Sequence, residues 1–281
     1  MPLKRDFSAA AERLATVAKS LVENVVILTR IDSTQAFGLR LVDQAEAEEI
    51  VLPTTLVIAG EQTQGRGRSV RTWTSPPGGL YVSFIASSIA PGAIARLPMI
   101  AATAVSEAIV AIGIDGVAIK WPNDIFIEGE KCAGCLVHAR HGATRWVVVG
   151  IGVNLEGAPD LEDGGPVPAT SVADRLPGGL TDDGTDRLLR VILEELTAGI
   201  TDPEASLDRW RARLLHRPGD EMTVRLGDGT EITGSFIGLT DDGHLRLVRD
   251  GDERTVAAGV VVEVRVVTGP AAGTAPEAGT R

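Results

Sequence analysis

Val117-Ala118-Ile119-Lys120-Trp121-Pro122-Asn123-Asp124-Ile125-Phe126-Ile127-Glu128-Gly129-Glu130-Lys131-Cys132-Ala133-Gly134 holds two short apolar runs, a dense polar corner and a turn. Val117 to Lys120 reads as one strand. Asp124 to Ile127 reads as a second, joined through Glu128-Gly129-Glu130 to a third after Lys131. The corner Lys120-Trp121-Pro122-Asn123-Asp124 collects a cation, an indole, a rigid proline and two polar groups at a strand end, a density that suits a site. A tight connection in which Asn123 and Asp124 only satisfy local backbone groups has the same composition.

Downstream, Arg145 to Val153 is another apolar strand, ending in Gly150-Ile151-Gly152-Val153-Asn154. Upstream, Ile94, Leu97, Ile100, Ala101, Ala104, Val105, Ala108, Ile109 and Ile112 share one stripe, which predicts a long helix over 94–112. Further apolar runs at 25–28, 55–59 and 80–85 predict strands, the first of them buried. Helices are predicted over 7–22 and from a Ser33 or Thr34 N-cap to about Glu49. The fold class that follows is α+β, a mixed sheet with helices on one face. Helical patterns return at 185–200 and 203–216. From Met222 to Val267 the periodicity changes to short alternating strands with Gly227-Asp228-Gly229 and Asp241-Asp242-Gly243 turns, about 50 residues suited to a small β-barrel. The expected domains are 1–216, a barrel at 217–268 and a disordered tail at 269–281.

The chain has 281 residues, 44% hydrophobic and 23% charged, so wholesale disorder and a fibrous chain are excluded. No run approaches 18 apolar residues and no export signal is visible. The net charge of −11 disfavours general nucleic-acid binding. More than half of that surplus lies in 156–184, with seven acids and one base. The two cysteines, at 132 and 135, are too few for a disulfide scaffold and suit a reducing, cytoplasmic setting.

Gly65-Arg66-Gly67-Arg68 follows a strand. Its glycines allow close backbone approach and its arginines offer planar, permanent cations, a combination for a phosphate or carboxylate. It is neither a Walker A loop nor G-x-G-x-x-G, and a solvated surface turn has the same composition.

Taken together, Asp32-Ser33-Thr34, Gln62-x-x-Gly65-Arg66-Gly67-Arg68 with Trp73 and Ser75-Pro76, Lys120-Trp121-Pro122-Asn123-Asp124, Lys131-x-Ala133-Gly134 and Gly150-Ile151-Gly152-Val153-Asn154 resemble, in order and spacing, the biotin protein ligase family. The resemblance covers 32–154 and is with the monofunctional type, which lacks an N-terminal DNA-binding domain. It implies a catalytic domain of the class II aminoacyl-tRNA synthetase/biotin ligase type, with an SH3-like β-barrel behind it. The implied activity is that of an ATP-dependent biotin–[acetyl-CoA-carboxylase] ligase. Such an enzyme converts biotin to biotinyl-5′-AMP and transfers it to one lysine of a biotin carboxyl carrier protein, forming an amide. ATP, biotin and Mg2+ carried by the ATP are the implied small molecules, and no metal site of the protein is assigned. The implied partner is the carrier domain, with no nucleic acid and no membrane; a homodimer is compatible.

By resemblance, Arg66, Arg68 and Lys131 are catalytic. Ser33, Thr34, Gln35, Gln62, Gly67, Trp73 and Asn154 join them in binding biotin or the adenylate. Gly65, Lys120, Trp121, Pro122, Asn123, Asp124, Gly134 and Gly152 support the site. The chemistry agrees, because bringing a carboxylate to an α-phosphate needs cations to neutralise the approach and to stabilise charge developing toward pyrophosphate. A mixed anhydride also needs a loop that closes over it, for which 61–72 has the composition. Trp73 would stack on adenine, anchor that loop or fill core.

Three positions depart from the family pattern. Gln35 stands where asparagine is usual, Ser69-Val70 where a further glycine follows Gly-Arg-Gly-Arg, and His138 where a carboxylate is common. Cys132-x-x-Cys135 looks like a metal half-site, but residues i and i+3 of a strand face opposite ways, so small hydrophobic filler is the expected role. Three rival readings follow. Lipoate ligases and octanoyl transferases share the broad fold, a biotin-sensing repressor would need a winged helix that about 25 residues before the first strand cannot hold, and a dead binding module would not need these cations.

Overall fold

A computed structural model describes residues 7–68, 71–142, 144–159, 168–258 and 261–267. The chain forms two compact units, Met1–Leu215 and His216–Arg281. The expected tail at 269–281, the Ser69-Val70 departure and residues 160–167 of the acidic segment lie outside the described residues.

The first unit is built on strands β1 (Asn24–Leu28), β2 (Thr55–Ala59), β3 (Leu80–Ser87), β4 (Val117–Lys120), β5 (Asp124–Ile127), β6 (Glu130–His141) and β7 (Arg145–Val153). They form one sheet in the order β1-β2-β3-β7-β6-β5-β4. Only β1 and β2 run parallel; every other neighbouring pair is antiparallel. Its helices are α1 (Phe7–Lys19), α2 (Thr34–Ala47), α3 (Pro91–Ala111), α4 (Asp182–Thr201) and α5 (Pro203–Ala212).

The expectation of helices on one face is corrected. Val42 and Ala45 of α2 share a core cluster with Val57, Ile85, Trp146 and Val148. Phe84 and Ala86, the alternate residues of β3, line a recess with Leu21, Val22 and, from α4, Thr197 and Ile200. Neighbours along a strand point to opposite faces, so α2 lies on one face and α4 on the side of the other, in a helical layer with α3, which packs on β4, β5, β6 and β7. That is why β2 is buried throughout and β3 reads as an unbroken apolar run with one serine.

Three smaller corrections have similar causes. The run 25–28 is only half-buried, because β1 is an edge strand with a single neighbour. The last helix stops at Ala212 because the next residues pair with β4: Ile119 N–H donates to Arg213 and Leu215 N–H donates to Ile119. The long helix starts three residues earlier than the stripe, where Pro91 takes the first turn. This 21-residue helix is long and apolar enough to cross a membrane, yet Leu97, Ile100, Val105 and Ile109 are fully buried and it packs on α4 and α5. A methyl at Gly199 of α4 would lie 2.6 Å from Ile100, so that glycine sets how closely α3 and α4 approach.

The second unit is a five-stranded antiparallel sheet of β8 (Glu221–Leu226), β9 (Glu231–Leu239), β10 (Leu245–Arg249), β11 (Asp252–Val256) and β12 (Val261–Val267), in the order β11-β10-β9-β8-β12. Met222, Val224, Phe236, Leu245, Leu247 and Val256 form its buried side.

Candidate active site

The face of the sheet under α2 carries the site, and the first turn of α2 is its polar end. Ser33 is extended and caps the helix, its hydroxyl accepting from Ala36 N–H. Asp32 accepts from Ser33 N–H at 2.7 Å and is gripped by both Nη atoms of Arg40, at 2.8 and 3.1 Å. That fork holds the Asp32 carboxyl below its usual range. Thr34 donates its N–H to Gln62 Oε1 at 2.8 Å, with its hydroxyl 3.1 Å from the same oxygen. Gln62 Nε2 then donates to Ser75 at 2.8 Å. Ser83, the lone polar residue in the middle of β3, lies 3.0 Å from Thr34 Oγ1 and 3.2 Å from Gln35 Oε1. Ser33, Thr34, Gln35 and Ser83 are all buried.

Gln62 and Ser75 also close an irregular hairpin over 62–75, through Gln62–Ser75 and Arg66–Thr72 bridges and bonds from Gly67 N–H to Arg71 and from Trp73 N–H to Gly65. Gly65 cannot be replaced without moving backbone: a methyl there would lie 2.2 Å from the Trp73 carbonyl oxygen. The hairpin presents Arg66 to a cavity of about 530 Å3 that it shares with Gly65, Gly67, Arg71, Leu136 and His138. Arg68 points the other way, donating to Asn123 Oδ1 at 3.3 Å.

Asn123 is the hub of the second, charged end. Its Nδ2 donates to the Cys135 carbonyl and its own carbonyl accepts from Cys135 N–H, so it ties the Pro122 corner to β6 while holding Arg68. Beside it, Asp124 pairs with Lys131 at 2.8 Å, both about 70% buried. Burial pulls the Arg68 guanidinium below its ordinary value and the Asp124 carboxylate pushes back. Trp121, joined to Pro122 by a cis bond, is buried behind the corner, and the Pro122 carbonyl accepts from the Trp210 indole. Lys120 precedes them at the end of β4. The structure thus gathers Arg68, Lys131, Asn123 and Asp124, with Trp121 and Pro122 as their support.

Between the two ends β6 and β7 present three glycines. Gly134 on β6 pairs with Gly152 on β7, and Gly150 lies next along β7 opposite Leu136. Trp73 lies on this floor. A methyl at Gly152 would be 2.5 Å from its Nε1 and one at Gly134 would be 3.4 Å from its ring, while Lys131 Nζ sits 5.4 Å from the ring centroid. Among the described residues the indole N–H has no hydrogen-bond partner. Asn154 stands apart: buried, it donates from Nδ2 to Thr170 and from its backbone N–H to Cys132, pinning the return of the chain at 168–172.

The cysteine geometry needs a correction. The β5–β6 register steps from Phe126–Lys131 to Ile125–Ala133, so a bulge falls at Cys132 and simple alternation does not run from Cys132 to Cys135. Both thiols are free and buried, and burial raises Cys132 to about 12 and pushes Cys135 up as well. Among the described residues no three His, Cys, Asp or Glu side chains cluster as metal ligands. Sequence reasoning gave no role to Ser83 or Gly150. The signal for Ser83 was a single hydroxyl inside Leu80-Tyr81-Val82-Ser83-Phe84-Ile85.

Residues 27–154 match the model of the biotin/lipoate A/B protein ligase family. Over 251 residues the chain is 33% identical to the biotin–[acetyl-CoA-carboxylase] ligase of Paracoccus denitrificans, covering 84% of this chain and 98% of the relative. The chain belongs to the biotin protein ligase family. A second relative in that family, the biotin–[acetyl-CoA-carboxylase] ligase of Mycobacterium tuberculosis, is 31% identical, with 85% of this chain and 88% of the relative covered. Among solved structures, the chain is similar to the biotin protein ligase of Aquifex aeolicus in complex with biotin and ATP. There the identity is 26% and the TM-score 0.68, over 87% of this chain and 99% of that one.

Proposed function

We propose that this protein is a monofunctional biotin–[acetyl-CoA-carboxylase] ligase acting in the cytoplasm on a biotin carboxyl carrier domain. The observation that carries the reading is the pairing of a neutral donor–acceptor cluster (buried Ser33 and Thr34 with half-buried Gln62) with a cationic end (Arg68, Lys131), joined by a floor of glycines. A ureido ring offers one carbonyl and two N–H groups, which such a cluster can match. Lipoyl and octanoyl chains have nothing comparable and would leave those polar groups unpaired, at about 1–3 kcal/mol each.

In the first step the biotin carboxylate attacks the α-phosphorus of MgATP, an acyl–phosphate bond forms and pyrophosphate leaves. Arg66 and Arg68 neutralise the approaching anions, and Lys131 follows the charge that develops on the phosphoryl oxygens. Asp124 holds Lys131 until phosphate takes over, and Asn123 aims Arg68. In the second step the carrier lysine amine attacks the acyl carbon, the amide forms and AMP leaves, so the enzyme needs no nucleophile of its own. Mg2+ enters with ATP as part of the substrate. We assign Trp73 to anchoring the 62–75 hairpin while the floor is free, and the second unit to the SH3-like domain of the family. Biotin-dependent exchange between ATP and pyrophosphate tests the reading: exchange with biotin and not with lipoate or octanoate supports it, and exchange with lipoate alone overturns it.

A further inference from the structure

Gln35 and His138, two residues that depart from the family pattern, are each other's partner. Gln35 Nε2 is 2.9 Å from His138 Nδ1 and 3.0 Å from the Val148 carbonyl oxygen. His138 and Val148 face each other across β6 and β7, so one amide group on α2 reaches both strands. The side chain fits only because Gly150 lies beneath it: a methyl there would be 2.4 Å from Gln35 Oε1.

The protons can be traced. Both protons of Gln35 Nε2 are committed, one to Val148 and one to His138, so His138 Nδ1 accepts and its proton sits on Nε2. Ser83 has one proton: given to Thr34 Oγ1 it would leave the buried Gln35 Oε1 unmet, so it goes to Gln35 Oε1, the Thr34 hydroxyl turns to Ser83 Oγ, and Thr34 keeps Gln62 Oε1 through its backbone N–H. Turning the Gln35 amide over would set its oxygen against the Val148 carbonyl. The chain from β6 to the Thr34–Gln62 pair therefore has one satisfactory arrangement, and a neutral His138 is its first link.

We propose that His138 is a positioning residue for biotin: acting through Gln35 and Ser83, it fixes Thr34 and Gln62 in the orientation that receives the ureido ring. The proposal rests on the ligase reading above. The groups around the imidazole favour its neutral form. Burial acts most strongly, Arg66 from the hairpin and Arg140 from its own strand add two cations, and Gln35 and the Val148 carbonyl are neutral. Asp43 on α2 is engaged with Arg140 at 3.0 Å. Acid therefore breaks the chain, because a protonated Nδ1 would meet the Gln35 amide as donor against donor.

The test is steady-state kinetics with biotin and ATP varied separately, from about pH 5.5 to pH 8, with the melting temperature of each variant. His138→Leu removes the acceptor; His138→Gln keeps one and removes the titration. The expected result is a KM for biotin raised about tenfold in His138→Leu, with kcat and the KM for ATP within about twofold. His138→Gln should stay near the parent at neutral pH. The parent's KM for biotin should rise as pH falls below the ordinary histidine value, and that of His138→Gln should stay flat. An unchanged KM for biotin in His138→Leu would overturn the proposal, as would equal rises for biotin and ATP with a lower melting temperature, or an acid limb that persists in His138→Gln. An inactive parent would remove the ligase reading itself, whereas an active parent indifferent to His138→Leu would remove only this inference.

Discussion

At the α2 end of the site Ser33, Thr34, Gln35 and Ser83 are neutral and buried, whereas at the Asn123–Asp124 end Arg68 and Lys131 meet one carboxylate and Lys131 stays partly open to solvent. The two ends place their free energy differently. A buried neutral network is costly to leave half-made, about 1–3 kcal/mol per orphaned group, so it contributes to both fold and orientation. The Asp124–Lys131 pair keeps more than a quarter of each side chain open to solvent, so water can take over from either partner and the cation is free to exchange a carboxylate for phosphate. Changes at the charged end should therefore be read mainly in turnover, and changes at the neutral end in substrate affinity and stability.

Lys131→Ala is the most severe test of that division. Adenylate formation, followed by pyrophosphate release, should fall by about 10²–10³-fold or more, with the melting temperature little changed. A large loss of stability would mean that the Asp124 pair is structural after all. Arg68→Ala should let adenylate escape before transfer, seen as biotin on lysines outside the carrier; unchanged acceptor selectivity would separate Arg68 from adenylate retention. Asn123→Ala crosses the division, since this side chain holds Arg68 and also bonds the Cys135 carbonyl. It should cost about 1–3 kcal/mol in chemical denaturation together with activity, and a full-activity, full-stability variant would contradict its role as hub.

The smallest effect is at Asp32. Arg40 lowers its folded pKa, so the pair's contribution is present above the unfolded carboxylate value of 3.8 and is lost as pH falls through the lower folded value. Both partners are more than one-third exposed, at 37% and 54%, so Asp32→Asn should cost under about 1 kcal/mol near neutrality, and the difference from the parent should vanish in acid. A difference that persists in acid would place the effect in the helix cap instead of the ion pair.

Much of the first unit was legible in the sequence because its strands are short apolar runs and its turns carry glycine. Asp124 to Gly134 announced a hairpin, and the Ser33 cap was visible as a serine ahead of a helical stripe. What sequence could not show were relations across long separations. The covering of both sheet faces depends on which helix returns to which side, although the unbroken burial of Thr55–Ala59 is its local trace. The bulge at Cys132 defeated a parity argument that holds for regular strands. At the site, Arg68 and Lys120-Trp121-Pro122-Asn123-Asp124 were legible as motifs, but their hydrogen bond spans 55 positions. Gln35 and His138 read singly as departures, and only the fold makes them a pair.

In the proposed function one chain both activates biotin and delivers it. The most direct measurement incubates the purified protein with biotin and MgATP, with and without a biotin carboxyl carrier domain, and reads nucleotide and carrier by mass spectrometry. Biotinyl-5′-AMP is expected without the carrier, and a single biotinyl group on one carrier lysine with it. Absence of both products, or modification of the carrier by lipoate or octanoate in place of biotin, would contradict the proposed function.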